Sequence, residues 1–247
     1  MPKGQKIRHT PNFTNVSTVV FDVGDTLFDA TALMESALRR TATLMKRRRL
    51  VEDSCKFCRI YLKIDRQIIG PAVNHLFSGL EILERVWDAL ELVPSPASLG
   101  TFLNVYRDFV RQGIRRDNGL IAIFKKLRRT GHRIAVLTDG STEEQLEQLV
   151  RLGVVQHLDL IVTSQQVGVE KPCRQMFDFL LSSLAISARE SVMIGNDVER
   201  DILGAKAVGM RTILVTAYSH RQNKQSLAAA DFVVKHVKSV ADVLLDR

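Results

Sequence analysis

The chain has 247 residues, of which 45% are hydrophobic and 25% are charged, and its formal net charge is +8. This is the composition of a globular protein that can bury a full core. No apolar run approaches the roughly 18 residues that span a bilayer, and the N-terminus lacks the apolar segment of about 7 to 15 residues that a signal peptide requires. We therefore expect no membrane segment and no signal peptide.

The basic charge and the cysteines narrow the classes of function. Lys and Arg outnumber Asp and Glu by 35 to 27, which suits a protein that captures anionic metabolites. We do not expect a nucleic-acid partner, because the basic residues are not interleaved with aromatic ones. Cys55, Cys58 and Cys173 form no disulfide framework, and no nearby histidine completes a zinc site at the first two. The expected location is a reducing cytoplasm.

The first part of the chain predicts one strand followed by a long helical segment. Residues 1–16 are expected to form a basic N-terminal tail, and the apolar run that follows predicts a buried strand over residues 17–22. From residue 30 to residue 114 the apolar residues recur at helical spacing, without a convincing strand. We therefore expect an insertion of three or four helices over residues 30–114.

The rest of the chain alternates between strands and helices. Strands are predicted over residues 133–139, 158–164, 191–197, 211–216 and 231–235, with helices between them. Because the predicted strands are apolar on both faces, they indicate a parallel sheet that is covered on both sides. The predicted fold class is α/β: a Rossmann-like parallel sheet with helices on both faces, plus an all-helical insertion after the first strand. Its core would comprise residues 17–29 and 115–247.

Polar side chains follow several of these strands. A parallel sheet places its ligands beyond the carboxyl ends of the strands, so we expect these side chains to meet at one site. They are Asp22 and Asp25, Thr138 and Asp139, Lys171, and Asn196, Asp197 and Asp201.

Four stretches that carry these residues occur in a characteristic order: FDVGDTL, VLTDG, GVEKP and IGNDVERDILGAKAVGM. In this respect the chain resembles the haloacid dehalogenase-like (HAD) hydrolase superfamily, in the subfamily with a helical cap, from about residue 17 to the end. The resemblance implies that the helical insertion is a cap that closes over the substrate and excludes water.

The resemblance also implies a phosphatase that acts on a small phosphorylated metabolite. Asp22 would be the nucleophile and would form an aspartyl-phosphate intermediate. Thr138 would donate a hydrogen bond to a phosphate oxygen, and Lys171 would hold the phosphate and Asp22 together. The expected substrate- and phosphate-binding residues are Gly24, Asp25, Asp139 and Gly140, with backbone N–H groups around the two glycines completing the cradle.

A magnesium ion is the cofactor that the resemblance implies. Mg²⁺ would offset the repulsion between the carboxylate and the phosphate. The expected ligands are Asp22, the carbonyl oxygen of Gly24 and the acidic motif that contains Asn196, Asp197 and Asp201. Asn196 stands where the family often has an aspartate, so either Asn196 or Asp197 could be the direct ligand of that motif.

The sequence departs from the family at one catalytic position. The family's phosphatases usually have a second aspartate two residues after the nucleophile, where it protonates the leaving group; here that residue is Gly24. The substrate could have a good leaving group, a cap residue or Asp25 could supply the proton, or the protein could be weakly active or non-hydrolytic.

A 2-haloacid dehalogenase is a further alternative, because halide needs no proton and the reaction needs no metal. The acidic residues around Asp197 suit a cation and favour the phosphatase. The sequence defines neither the substrate nor the oligomeric state.

Overall fold

The structure is a computed structural model that describes residues 13–68, 79–218 and 224–245. Its central feature is a six-stranded sheet in the order β3-β2-β1-β4-β5-β6, in which every neighbouring pair is parallel. The strands are β1 (Thr18–Phe21), β2 (Arg133–Thr138), β3 (Leu160–Thr163), β4 (Ser191–Gly195), β5 (Arg211–Val215) and β6 (Phe232–Val234). The predicted α/β class is confirmed.

Successive residues of the central strands face two different hydrophobic clusters. In β1, Val19 and Phe21 belong to one cluster, whereas Val20 belongs to the other, and all three are fully buried. This alternation follows from the two-residue period of a strand. Both faces of the sheet are therefore covered, which explains why the strands lack a polar face.

Helices of the core pack on these two faces. Phe124 of the helix that precedes β2 stacks on Phe21 with ring centroids 4.9 Å apart, while Met176 and Phe177 pack on the opposite face. The helices are α5 (Asn118–Arg129), α6 (Thr142–Leu152), α7 (Ser164–Val167), α8 (Arg174–Leu184), α9 (Gly204–Ala207), α10 (Lys224–Ala229) and α11 (Val240–Leu245). A π-helical stretch, Val198–Leu203, leads directly into α9.

Between β1 and α5 the described chain is helical. It contains α1 (Ala30–Arg47), α2 (Ser54–Ile68), α3 (Gly79–Ala89) and α4 (Pro96–Gly113), which share a hydrophobic cluster of their own around Phe57, Trp87 and Phe102. Residues 69–78, part of the predicted helical insertion, lie outside the described residues, as does most of the predicted N-terminal tail. The proposed boundaries at residues 30 and 114 stay a prediction.

The chain runs from β1 to β2 and β3 on one side of the sheet, then to β4, β5 and β6 on the other. The change of direction beside β1 creates a crevice at the carboxyl ends of β1, β2 and β4, where open parallel sheets bind ligands. Among the described residues, no helix combines the length and the apolar character needed to cross a membrane.

Candidate active site

A cavity of about 800 Å³ lies at the carboxyl ends of these strands and reaches helices α1 and α4. It is lined by all ten site residues predicted from the sequence, whose roles stay predictions. They are Asp22, Gly24, Asp25, Thr138, Asp139, Gly140, Lys171, Asn196, Asp197 and Asp201.

At the centre of the site a buried lysine bridges two aspartates. Lys171 Nζ lies 2.8 Å from Asp22 Oδ1 and 2.7 Å from Asp201 Oδ1, and all three residues are buried. Burial alone would lower the pKa of Lys171, but the carboxylates of Asp201, Asp22 and Asp139 outweigh it and raise the pKa above its ordinary value. Lys171 is therefore a fixed cation at the carboxylate of Asp22.

Asp201 is the most deeply buried carboxyl group of the site. Its Oδ2 accepts a hydrogen bond from the backbone N–H of Asp197, at 3.0 Å, so both of its oxygens have partners. Burial raises the pKa of Asp201, and the contact with Lys171 opposes that rise. A side chain at Gly195 would collide with this carboxylate, so glycine is needed for the close approach.

Thr26 connects the first and fourth sequence motifs. Its hydroxyl is fully buried and lies 2.9 Å from Asp22 Oδ2 and 3.1 Å from Asn196 Oδ1. The carboxylate of Asp22 is thus held on one side by Lys171 and on the other by Thr26. Thr26 was not among the residues predicted for the site, although its place four residues after Asp22 within the first motif was a usable signal.

Asp197 and Asn196 are neighbours with different surroundings. Asp197 is the N-cap of the π-helical stretch, and its Oδ1 accepts hydrogen bonds from the backbone N–H groups of Glu199 and Arg200, each at 2.9 Å. These contacts satisfy amide groups that a helix start leaves without partners. The side-chain oxygen of Asn196 instead lies 3.1 Å from the hydroxyl of Thr26, which also contacts Asp22.

Asp25 is turned towards the start of helix α1. The residue has a left-handed backbone conformation, with φ of 56°. Its carboxylate accepts hydrogen bonds from the backbone N–H of Thr31 at 2.9 Å and from the Thr31 hydroxyl at 2.5 Å. Asp25 therefore pairs with a backbone N–H in the first turn of α1, whose N-cap residue is Asp29, and this is a sufficient physical reason for a carboxylate at this position.

The second motif is braced by residues from three other segments. Asp139 accepts a hydrogen bond from the backbone N–H of Lys171 at 3.0 Å and another from Arg200 at 3.4 Å. The backbone N–H of Gly140, which we expected to face the phosphate, donates to the hydroxyl of Ser164 at 2.8 Å. In this arrangement Asp139 positions Lys171.

An ion pair links helix α4 to helix α6 across the cavity. Arg111 Nε lies 2.8 Å from Glu147 Oε2, and Arg151 Nε lies 3.1 Å from the other oxygen of Glu147. None of these three residues was predicted from the sequence. No motif marks them, because their contact depends on how the two helices pack.

All four sequence motifs thus contribute residues to one cavity: the first motif, VLTDG, the motif with Lys171 and the segment around Asn196. The model of the family described as haloacid dehalogenase-like hydrolase matches residues 19–215. The chain belongs to this family. The match contains all ten predicted site residues, although the match itself assigns no role to any of them.

Relatives in the haloacid dehalogenase-like family include phosphatases. A glyceraldehyde 3-phosphate phosphatase from Methanothermobacter thermautotrophicus is 31% identical, over 82% of this chain and 86% of its own. A glyceraldehyde 3-phosphate phosphatase from Methanopyrus kandleri is 26% identical over 93% and 97%. The crystal structure of a putative HAD-hydrolase, YfnB from Bacillus subtilis bound to magnesium, has a TM-score of 0.68 at 19% identity, over 93% and 98%.

The donor atoms at the site fit a hard cation. In the described part of the chain, no three His, Cys, Asp or Glu side chains come together as a metal-binding group. A Mg²⁺ ion needs fewer protein ligands, because it is commonly held by one or two carboxylates and several waters. Asp22 and Asn196 provide two side-chain oxygens that share the hydroxyl of Thr26, and Gly24 lines the same cavity.

Proposed function

We propose that this protein is a Mg²⁺-dependent phosphatase that acts on a small phosphorylated metabolite through a phosphoryl intermediate on Asp22. The observation that carries the proposal is the contact of Asp22 Oδ1 with the buried Lys171 Nζ, 2.8 Å away, at the wall of the cavity. A cation in this position stabilises negative charge on both the nucleophile and a phosphoryl group. The named activity of the relatives supports the same reaction class.

In the proposed reaction a carboxylate oxygen of Asp22 forms a bond to phosphorus, and the bond from phosphorus to the leaving oxygen breaks. Lys171 and Thr26 fix the orientation of the carboxylate, which lowers the entropic cost of reaching the attack geometry. Water then hydrolyses the acyl phosphate and releases phosphate. Thr138, which lines the same cavity as Asp22, would donate to a phosphoryl oxygen.

The proposed metal ligands are Asp22, Asn196 and the carbonyl oxygen of Gly24. Asn196 is preferred to Asp197 because the Asp197 carboxylate already caps the π-helical stretch. Asp201 acts indirectly, because its two oxygens accept hydrogen bonds from Lys171 Nζ and from the backbone N–H of Asp197. When bound, the ion would neutralise charge between the nucleophile and the phosphate.

Protonation of the leaving group is the step to which this chain's residues contribute least. Gly24 has no side chain, and Asp25 contacts Thr31. We therefore propose a substrate whose leaving group needs little protonation, such as an acyl or anomeric phosphate.

The decisive experiment is hydrolysis of p-nitrophenyl phosphate, whose leaving group needs no general acid. We expect turnover with Mg²⁺, loss with EDTA, and loss of at least about 1,000-fold in Asp22→Asn. Asp178→Asn is the matched control, because Asp178 is an exposed partner of Arg174 on α8. Equal activity of Asp22→Asn and wild type would refute the assignment of Asp22 as the nucleophile.

A 2-haloacid dehalogenase is a second candidate function. Position 24 is a glycine and provides no acid, and a halide leaving group does not need one. Turnover of 2-chloropropionate in EDTA, without turnover of the aryl phosphate, would favour it. A protein inactive in both assays would be the non-hydrolytic member of the family that the sequence also allows.

A further inference from the structure

The cavity extends well beyond the proposed phosphate site. Its volume of about 800 Å³ is in the upper part of the usual range for small-molecule sites, about 300–1,000 Å³, and a phosphoryl group alone fills little of it. The remaining space is bounded by helices α1 and α4. Their contribution includes Met34, Tyr106, Val110 and two arginines, Arg107 and Arg111.

Most cations that line the cavity already have anionic partners. Lys171 is held by Asp22 and Asp201, and Arg200 by Asp139 and Glu170. The remaining paired cations are Arg111 and Arg151, which share Glu147.

Arg107 differs from these cations. Its side chain is exposed and lines the cavity, and within the described ranges it makes no ion pair or hydrogen bond. It lies one turn before Arg111 on α4, a helix whose cavity-lining residues include no acid. A guanidinium so placed can bind a planar or tetrahedral oxyanion with two parallel hydrogen bonds.

We propose that Arg107 binds a second anionic group of the substrate, so that the substrate is a phosphorylated compound that also carries a carboxylate or another phosphate. This inference rests on the proposed function, because it takes the phosphate at Asp22 and Lys171 as the first anion. Neutral sugar or polyol phosphates would leave Arg107 without a partner and would bind more weakly.

A competing role for Arg107 is a contact with α6 when the cavity closes. Glu143 and Glu144 line the same cavity and are exposed, so an ion pair to Arg107 would draw α4 towards α6. Such a contact would help every ligand equally, whatever its charge. Anion binding helps only those ligands that have the second charge, and this difference separates the two roles.

The test compares ligand pairs that differ by one anion, as inhibitors of p-nitrophenyl phosphate hydrolysis. Glycerol 3-phosphate with 3-phosphoglycerate tests a carboxylate, and fructose 6-phosphate with fructose 1,6-bisphosphate tests a phosphate. In wild type, the inhibition constant should be about 10-fold lower for the doubly anionic member of at least one pair. Arg107→Met should reduce that ratio to about one, and Arg107→Lys should keep part of it.

Arg66→Met is the matched control, since Arg66 is an exposed arginine of α2 that does not line the cavity, and it should keep the wild-type ratio. The inference is wrong if wild type shows no preference in either pair, if Arg107→Met keeps the preference, or if it weakens both members of each pair equally. Calorimetric titration of the same four ligands measures the preference even without turnover. Absence of Asp22-dependent hydrolysis would contradict the proposed function, whereas absence of the ligand preference in calorimetry would contradict the role of Arg107.

Discussion

The carboxylate of Asp25 binds both hydrogen-bond donors of Thr31, the backbone N–H at 2.9 Å and the hydroxyl at 2.5 Å. This relationship ties Asp25 to the first turn of helix α1, whose N-cap residue is Asp29. It also bears on the leaving group, because a carboxylate held by two donors is directed away from the task of protonating a departing oxygen.

Replacing Asp25 should therefore affect stability more than chemistry. We expect Asp25→Ala to lower the free energy of unfolding by about 1 kcal/mol, the usual cost of removing a side-chain acceptor from the start of a helix. Thr31→Val should cost a similar amount, and the double variant less than the sum, because both changes remove one contact. Urea denaturation measures these values. A rate loss of about 100-fold confined to poor leaving groups would instead identify Asp25 as the acid.

Installing an aspartate at position 24 should supply the missing acid. A Cβ at Gly24 would meet the Cβ of Ala30 at 3.4 Å, an ordinary contact, so the fold should accept Gly24→Asp. We expect alkyl phosphate hydrolysis to rise by about 100-fold or more, with little change for p-nitrophenyl phosphate. Gly24→Asn has the same size but carries no proton for the leaving group, and should show no gain. Equal rates in the two variants would contradict the prediction.

Removing Lys171 should destabilise the protein as well as inactivate it. Lys171→Met leaves the buried carboxyl groups of Asp22 and Asp201 without their cation, which typically costs about 3–5 kcal/mol. Burial raises the pKa of Asp201 to about 7 even while Lys171 opposes the rise, and in the variant this opposition is gone. Because the folded variant retains a proton that the unfolded chain releases, its stability should fall as pH rises.

The deficit of Lys171→Met relative to wild type should accordingly be larger at pH 8 than at pH 5. Guanidinium titrations at both pH values measure it. The double variant Lys171→Met/Asp201→Asn is the control, since it removes one buried charge and should recover part of the stability. A deficit independent of pH would show that lost packing, rather than charge, is the cause.

Asn196 and Asp197 should respond differently to substitution. Asn196→Asp adds a charged oxygen at the proposed metal site and should lower the Mg²⁺ concentration for half-maximal activity by about 10-fold, an ion-pair effect of about 1.4 kcal/mol. Asp197→Asn should leave that concentration within about 2-fold, because the asparagine oxygen can accept the same two N–H bonds at the start of the π-helical stretch. Mg²⁺ titrations of the hydrolysis rate decide between the two residues. The reverse pattern would make Asp197 the ligand.

Glu147 should control closure between α4 and α6. Glu147→Gln removes the charge shared by Arg111 and Arg151, and we expect KM to change by about 3-fold at low salt. The pair is partly exposed, so at about 0.5 M NaCl wild type should approach the variant. Asp178→Asn, which removes a comparable pair on α8, should show no such dependence. A salt-independent change in KM would contradict the electrostatic explanation.

Much of the core could be predicted because it depends on short-range patterns. The apolar runs identify the six strands, and the common direction of a parallel sheet brings their carboxyl ends together. This explains why Asp22, Thr138, Lys171 and Asp201, far apart in sequence, line one cavity. The identity of the fold follows from residue types and order alone.

The finer geometry could not be predicted, because it depends on dihedral angles and helix packing. The direction of Asp25 follows from its positive φ and from a donor six residues later. The choice between Asn196 and Asp197 depends on which of them starts a helical turn. The places of Arg107 and Arg111 depend on the rotation of α4 about its axis, which apolar periodicity fixes only roughly.

The close approach of Asp201 to Gly195 limits the positions that Asp201, Lys171 and Asp22 can adopt relative to one another. A single methyl group at Gly195 would displace the Asp201 carboxylate, and Lys171 would then lose one of the two anions that hold it beside Asp22. Natural selection for activity would thus act on Gly195 through its volume alone. A residue without any functional group determines the spacing of three residues that have one.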